Sequence, residues 1–300
     1  MGWPFSPKMK SGLEWTTTGE EKRSRMDNNK IIDSIELERK EHLIETKKLL
    51  ALSAVSVIIF LLIWQAAVSF EWVNPKYLSS PVTVVTTFFD KLSNPKPDGA
   101  VIGVHIWTSL KLVLRGYILA VIIGIPLGFL LAYYHTLDKL ISPIFEIMRP
   151  IPPIAWIPMA VIWLGIGAKS KTFIIFLAAF VPCVINAYTG IKLTNSAFIA
   201  VGRTCGASRW KIFTTVCIPS ALPLAFTGIR VALGNAWSTL VAAELVAATA
   251  GLGYMIQQGR SFVRPDIILV GMFTIGITGA ILYMLLGVIE KHTMKWRAKR

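Results

Sequence analysis

Glu146, Arg149 and Glu244 stand inside apolar stretches of this 300-residue chain, and each needs a partner or a water-lined surface. Glu146 and Arg149 lie three residues apart, on one face of a helix, where they can neutralise each other. Either that pair holds a kink, or Arg149 is an element of anion attraction or gating. Glu244 falls within NAWSTLVAAELVAA, where Asn235, Ser238 and Thr239 form a polar strip. A lone carboxylate there costs about 2.5–3.5 kcal/mol on insertion scales, so a partner is expected, with Arg230 and Arg149 as candidates. Because a carboxylate repels anions, a structural or gating part for Glu244 is favoured over substrate contact. Asn186 and Tyr188 are further candidates for lining a pathway, with Pro153 and Trp156 of a proline-rich stretch.

No catalytic constellation accompanies these residues. The sequence has no GxxxxGK[ST] phosphate loop, no HExxH and no GxSxG, so the chain is expected not to hydrolyse a nucleotide by itself. His42, His105, His135 and His292 are scattered over loops and ends. Cys183, Cys205 and Cys217 sit in or beside apolar runs without CxxC spacing, which reads as small core residues rather than metal or redox sites. No catalytic residue, metal ligand or cofactor is expected in this chain.

The elements that must position these residues are membrane spans. The chain is 54% hydrophobic and only 16% charged, with a mean hydropathy of +0.58, against roughly 25% charged in soluble domains. Six spans are predicted: Leu49–Phe70, Ser109–Tyr134, Leu140–Leu164, Thr172–Ile191, Ala221–Ala248 and Ile267–Ile289. The expected fold class is therefore an all-α polytopic membrane protein. A polar tail, 1–48, precedes a transmembrane domain, 49–300. The tail carries 10 Lys+Arg and 9 Asp+Glu, so most of the net charge of +14 belongs to loops of the membrane part. With both ends inside, the inner segments hold 20 Lys+Arg and the outer ones seven, which predicts cytoplasmic N- and C-termini. The same asymmetry explains the basic charge without nucleic acid. No signal peptide is expected, since the first apolar run is of spanning length and follows the tail. Asp27–Lys48 reads as a surface helix or a solvated leader. Beyond the first span, Pro81–Leu92 is a short amphipathic stretch, followed by an Asn-Pro-Lys-Pro-Asp-Gly loop to which no chemistry is assigned.

The third span is unusual. Pro143, Pro150, Pro152, Pro153 and Pro158 cannot share one straight helix, since each removes a backbone donor and crowds the preceding turn. Broken backbone at membrane depth must be buried in protein or line water, so this segment is expected to face the bundle interior. Small residues such as Gly124 and Gly128 in the second span permit close helix approach.

The connection 194–219, TNSAFIAVGRTCGASRWKIFTTVCIP, parses as a helical hairpin. Thr194, Asn195 or Ser196 can cap a first helix, which Gly206 ends. Ser208 caps a second, Arg209–Cys217, limited by Pro219. The apolar residues Phe198, Ile199 and Val201 cannot bury themselves on so small a unit. They pack on the chain's own helices or dock into a partner's groove. Gly202, Arg203, Ala207 and Arg209 complete the candidate contact surface.

This connection resembles the "EAA" coupling motif of permease subunits in bacterial ATP-binding-cassette importers, with Gly206, Val216, Ile218 and Pro219 on the pattern. Ala200, Val201 and Gly202 stand where Glu-Ala-Ala is usual, so the carboxylate that normally contacts the ATPase is missing. RPIPPIAWIP, WLGIG, GASRW, IPSALP and AATAGLGYMI are similar to segments of the nitrate/sulfonate/taurine branch. The resemblance implies a type I (MetI-like) importer permease in the bacterial inner membrane. Two copies would form the pathway, a cytoplasmic ATPase dimer would hold ATP and Mg, and an external binding protein would deliver a small anion such as taurine, an alkanesulfonate, nitrate or bicarbonate. The alternative is a self-sufficient secondary transporter or channel, which has no reason to present a coupling hairpin.

Overall fold

A computed structural model of the chain describes residues 45, 48–49, 51–74, 76–247 and 249–294. Every regular element among them is helical. The expected helix at Asp27–Lys48 lies almost wholly outside the described residues. The chain divides into two compact units, Met1–Ala66 and Ala67–Arg300. The first contains most of α1, Ala51–Ser69, whose 19 residues span about 28 Å and suffice to cross a bilayer.

In the second unit, α2 (Pro81–Lys91) begins at a cap where Ser80 Oγ accepts the Thr83 N–H at 3.2 Å, with proline in the first turn. Its inward residues, Val84, Thr87 and Lys91, follow helical spacing. Three long helices form the core: α3 (Ile102–Tyr133), α6 (Ala168–Lys192) and α9 (Ile218–Ala247), with α11 (Pro265–Thr293) beside them. Their contact is set by small residues. A methyl added at Gly116 would stand 2.8 Å from the Thr172 carbonyl, one at Gly128 2.5 Å from the Val184 carbonyl, and one at Gly228 2.6 Å from Asn186 Cβ. The first two pairings rise together in sequence, so α3 and α6 run parallel. The Gly228–Asn186 and Gly190–Ala221 contacts run oppositely, so α9 is antiparallel to α6. Around these crossings pack Leu112, Val113, Ile175, Cys183, Leu233 and Leu240.

The third span departs from expectation in its placement. It is broken into α4 (His135–Met148), a 3-10 turn (Pro153–Trp156) and α5 (Ile157–Leu164), bent by 86°. The break is where proline requires it. Pro152 adopts the extended backbone (φ −58°, ψ 136°) that a following proline imposes. Pro158 sits near the start of α5, where a missing N–H costs nothing. The segment does not face the interior of this chain, as the sequence suggests. Neither α4 nor the 3-10 turn buries a residue, and α5 buries only Ile157 and Ala160. Glycine contacts hold α3 against α6 and α6 against α9, and α4 and α5 lie on the outside of this packing. Among the described residues, five helices are long and apolar enough to span a membrane, and the broken pair, counted as one span, makes a sixth.

Candidate functional site

At one end of the core, the 194–219 connection folds into the expected hairpin. Asn195 Oδ1 accepts the Ala197 N–H at 2.9 Å and starts α7 (Ser196–Thr204), so Asn195 is the cap among the three candidates. Gly206, at φ +73°, ends it. The Gly206 N–H meets the Arg203 carbonyl and the Ala207 N–H meets the Gly202 carbonyl, at 2.9 and 3.0 Å, the paired bonds of a left-handed helix stop. Ser208 Oγ then accepts the Lys211 N–H at 3.3 Å and starts α8 (Arg209–Ile212). The second helix does not stop at Pro219. It continues through a π-turn, Phe213–Cys217, directly into α9. Pro219 has no N–H to give to the preceding turn, and the Thr214 and Thr215 hydroxyls bond the Trp210 and Lys211 carbonyls at 3.0 and 2.5 Å. A widened turn accommodates both.

The hairpin's faces divide sharply. Ile212, Phe213 and Cys217 are buried against Phe129, Ala132 and Ile191, and Ile199 and Ala207 pack on that cluster. The Tyr133 hydroxyl donates to the Arg209 carbonyl at 2.7 Å, tying the end of α3 to the hairpin. Phe198 and Val201, by contrast, are 59% and 61% exposed. With Gly202, Thr215 and Val216 they line a shallow apolar groove. The two ways of burying this apolar side therefore split between residues: Ile199 packs on the chain itself, whereas Phe198 and Val201 face outward. Cys205, expected as a core residue, is exposed on the hairpin, while Cys183 and Cys217 are buried.

Along the outer side of the bundle, Arg149, Pro153, Trp156 and Asn235 come together around a cavity of about 670 Å³, walled by Phe145, Phe180 and Trp163. Thr227, Val231, Asn235 and Ser238 recur at helical spacing as an exposed stripe on α9. Glu146 bonds Arg149 at 3.3 Å, but the two side chains are 64% and 48% exposed. Such a pair contributes about 0–1 kcal/mol, so the prolines, not the ion pair, hold the kink. Asn186 does not line the cavity. It donates to the Pro182 carbonyl at 2.9 Å, below the close approach of Gly228. Tyr188 donates to Asp138 Oδ2 at 3.0 Å, where Ser142 and Lys192 also converge, joining α4 to α6.

Glu244 pairs with neither candidate arginine. Arg230 is bound to Glu290 and lies over the Tyr283 ring. Glu244 is 1% exposed at the end of α9 remote from the hairpin. Ser109 Oγ donates to its carboxylate at 2.8 Å, and the Gly253 N–H donates to Oε2 at 2.8 Å. Ser109 Oγ in turn accepts the Leu252 N–H at 2.9 Å. The loop entering α10 (Leu252–Ser261) is thus held by side chains of α3 and α9. Gly251 has φ +133°, and a Cβ there would collide with the Glu244 carboxylate.

The same latch extends through residues to which the sequence assigned nothing. The Gly251 N–H donates to His105 Nδ1 at 3.1 Å, which leaves the Nε2 position for the ring proton. Nε2 lies 3.2 Å from Asp98 Oδ2, close enough for an electrostatic contact but off the line of a hydrogen bond. Asp98 also pairs with the buried Lys91, which donates to the Lys96 and Ala100 carbonyls at 3.2 and 2.9 Å. Burial alone would raise the Asp98 carboxyl, but the His105 contact and the bond from Lys91 prevail and hold it below the ordinary carboxylate value. Its contribution to stability is therefore complete above the ordinary carboxylate range and is lost as pH falls through the lowered value. His105 and Ser109, four apart, share one helix face. That spacing was the available signal.

Comparison with known proteins bears on both ends. The family model described as "Binding-protein-dependent transport system inner membrane component" matches residues 124–296. The taurine transport system permease protein TauC of Escherichia coli (strain K12) is 35% identical over 83% of this chain and 90% of its own length. The nitrate import permease protein NrtB of Synechocystis sp. is 32% identical over 79% of this chain and 86% of its own. Among solved structures, the inward facing MetNI methionine ABC transporter aligns with 61% of this chain and 94% of its own, at 20% identity and a TM-score of 0.49.

Proposed function

Because the chain belongs to the family of binding-protein-dependent transport inner-membrane components, we propose that two copies of it line the path of a small anion across the bacterial cytoplasmic membrane. It is a multi-span permease of an ABC importer and not itself an enzyme. ATP hydrolysis belongs to a separate ATPase, and the importer works with a substrate-binding protein. The observation that carries the coupling part of this reading is the hairpin: its inner face is packed and capped while Phe198 and Val201 are held outward. The ATPase dimer, with its ATP and Mg, docks on that outer face. Arg203 and Arg209 lie on the Ile199 side of the hairpin, around a neighbouring groove with Tyr133 and Ala207.

The broken third span supports the pairing of two copies. Its backbone must be covered by protein or line water, and within one chain it is neither buried nor enclosed. A second copy placed against α4, α5 and the α9 stripe would meet that requirement and turn the Arg149–Asn235 cavity into part of a shared path. An anionic cargo, in the class of the taurine and nitrate that the relatives' names specify, suits Arg149 and the Asn235 amide. The latch end then faces outward, towards the binding protein, and the termini face the cytoplasm.

Cys205 tests the docking and its side together. In a variant with Cys183 and Cys217 replaced, a membrane-impermeant maleimide is expected not to label Cys205 in intact cells and to label it in inverted vesicles. Added ATPase should suppress that labelling. Labelling from outside intact cells, or labelling unaffected by a bound ATPase, would contradict the docking.

A further inference from the structure

At the latch end of the bundle, α3 and α6 carry two cations for which the account so far has no use. Arg115 immediately precedes the uncharged apolar run 116–133 of α3, about 27 Å long and so close to the thickness of a hydrocarbon core. Lys169 lies in the first turn of α6, followed by the buried Lys171 and then by the apolar run from Thr172. The helices are parallel and Gly116 abuts Thr172, so both cations stand at the same level along the bundle. Neither makes an ion pair or a hydrogen bond among the described residues. Together they close one end of a groove of about 560 Å³. Its remaining wall is almost wholly apolar, running one to two turns further along both helices through Leu119 and Ile123 on one side and Phe173 and Phe176 on the other.

We propose that this groove is a specific site for an anionic phospholipid, its phosphate between Arg115 and Lys169 and an acyl chain lying along Leu119, Ile123, Phe173 and Phe176. Charge and shape both select this occupant. Two unneutralised cations at the membrane border attract a phosphate. An apolar trough that leads from them in the direction of the hydrocarbon fits a chain covalently attached to that phosphate, which a free anion lacks. Arg115 can fork two N–H groups onto phosphate oxygens, whereas Lys169 supplies a point charge. The lipid would fill the space between α3 and the α5–α6 turn.

The test uses the full chain purified in detergent from membranes containing phosphatidylglycerol, with bound lipid per chain measured by mass spectrometry after extensive washing. Phosphatidylglycerol retention is expected to fall about fivefold for each cation removed in Arg115→Gln, Lys169→Gln and the double variant. Arg115→Lys should keep most of it. A Lys76→Gln/Lys96→Gln control should leave it unchanged. Leu119→Trp, which occupies the trough without altering a charge, should lower retention and so provides the reading should a glutamine variant fail to accumulate. Inorganic phosphate in large excess should not displace the lipid. Retention at the wild-type level by both the double and the Leu119→Trp variants would overturn the proposal. So would displacement by phosphate, which would make the groove a free-anion site, or an equal loss in the control, which would make the retention non-specific surface charge.

Discussion

Replacing Glu244 by alanine is expected to remove most of the permease from the membrane. The carboxylate is the acceptor for the Ser109 hydroxyl and the Gly253 N–H, both inside a buried cluster. Each donor left unsatisfied costs on the order of 1–3 kcal/mol. That is a large fraction of the few kcal/mol that keep a fold together. Glu244→Gln retains one oxygen for Gly253 and should be milder, since Ser109 Oγ can accept from the amide. Gly251→Ala should be as damaging as Glu244→Ala. There the φ of +133° is one that L side chains rarely adopt, and the added methyl occupies the position of the carboxylate. The measurement is membrane abundance, with the thermal midpoint of what survives in detergent. Normal abundance and midpoint for both Glu244→Ala and Gly251→Ala would show that the latch is not structural.

Gly206→Val is expected to abolish coupled uptake while leaving the protein in the membrane. A Cβ at Gly206 would meet nothing within 4 Å, so the damage is confined to the backbone. At φ +73° a β-branched residue is strained by on the order of 1–3 kcal/mol, and the hairpin can escape that strain by re-aiming α7. Phe198 and Val201 would then no longer present a fixed surface. Asparagine tolerates the left-handed conformation, so Gly206→Asn should retain most of the uptake. Uptake, ATPase co-purification and abundance are compared across the three proteins. Undiminished uptake with valine would make Gly206 an ordinary loop glycine, and loss of the protein itself would assign the hairpin to folding instead of coupling.

What could be read in advance was whatever depends on near neighbours in the chain. Apolar runs located the spans, and Asn195, Gly206 and Ser208 punctuated the hairpin through bonds reaching two to five residues. Contacts at long sequence separation were not legible in this way. Glu244 was matched to other charges, yet its partners are a hydroxyl of α3 and a backbone N–H beyond a tight loop. Arg230, one candidate, stands about 21 Å along the axis of the same helix. Lys91 and Asp98 give no local signal of burial, because a lysine and an aspartate in a Pro-Gly loop each read as solvated when taken singly, and His105 offers only its spacing from Ser109. The prolines locate the break in the third span but do not say which protein covers it. Burial of backbone can be completed by a neighbouring chain, and sequence periodicity does not distinguish that from the chain's own core.

The most direct test of the account is uptake by proteoliposomes of defined composition. Permease alone, permease with its ATPase, and permease with both ATPase and binding protein are compared for accumulation of labelled taurine and nitrate with ATP supplied on the ATPase side. The account predicts no accumulation and no ATP hydrolysis by the permease alone, and concentrative uptake of a small anion only when all three proteins and ATP are present. Accumulation driven by an ion gradient through the permease by itself would contradict it.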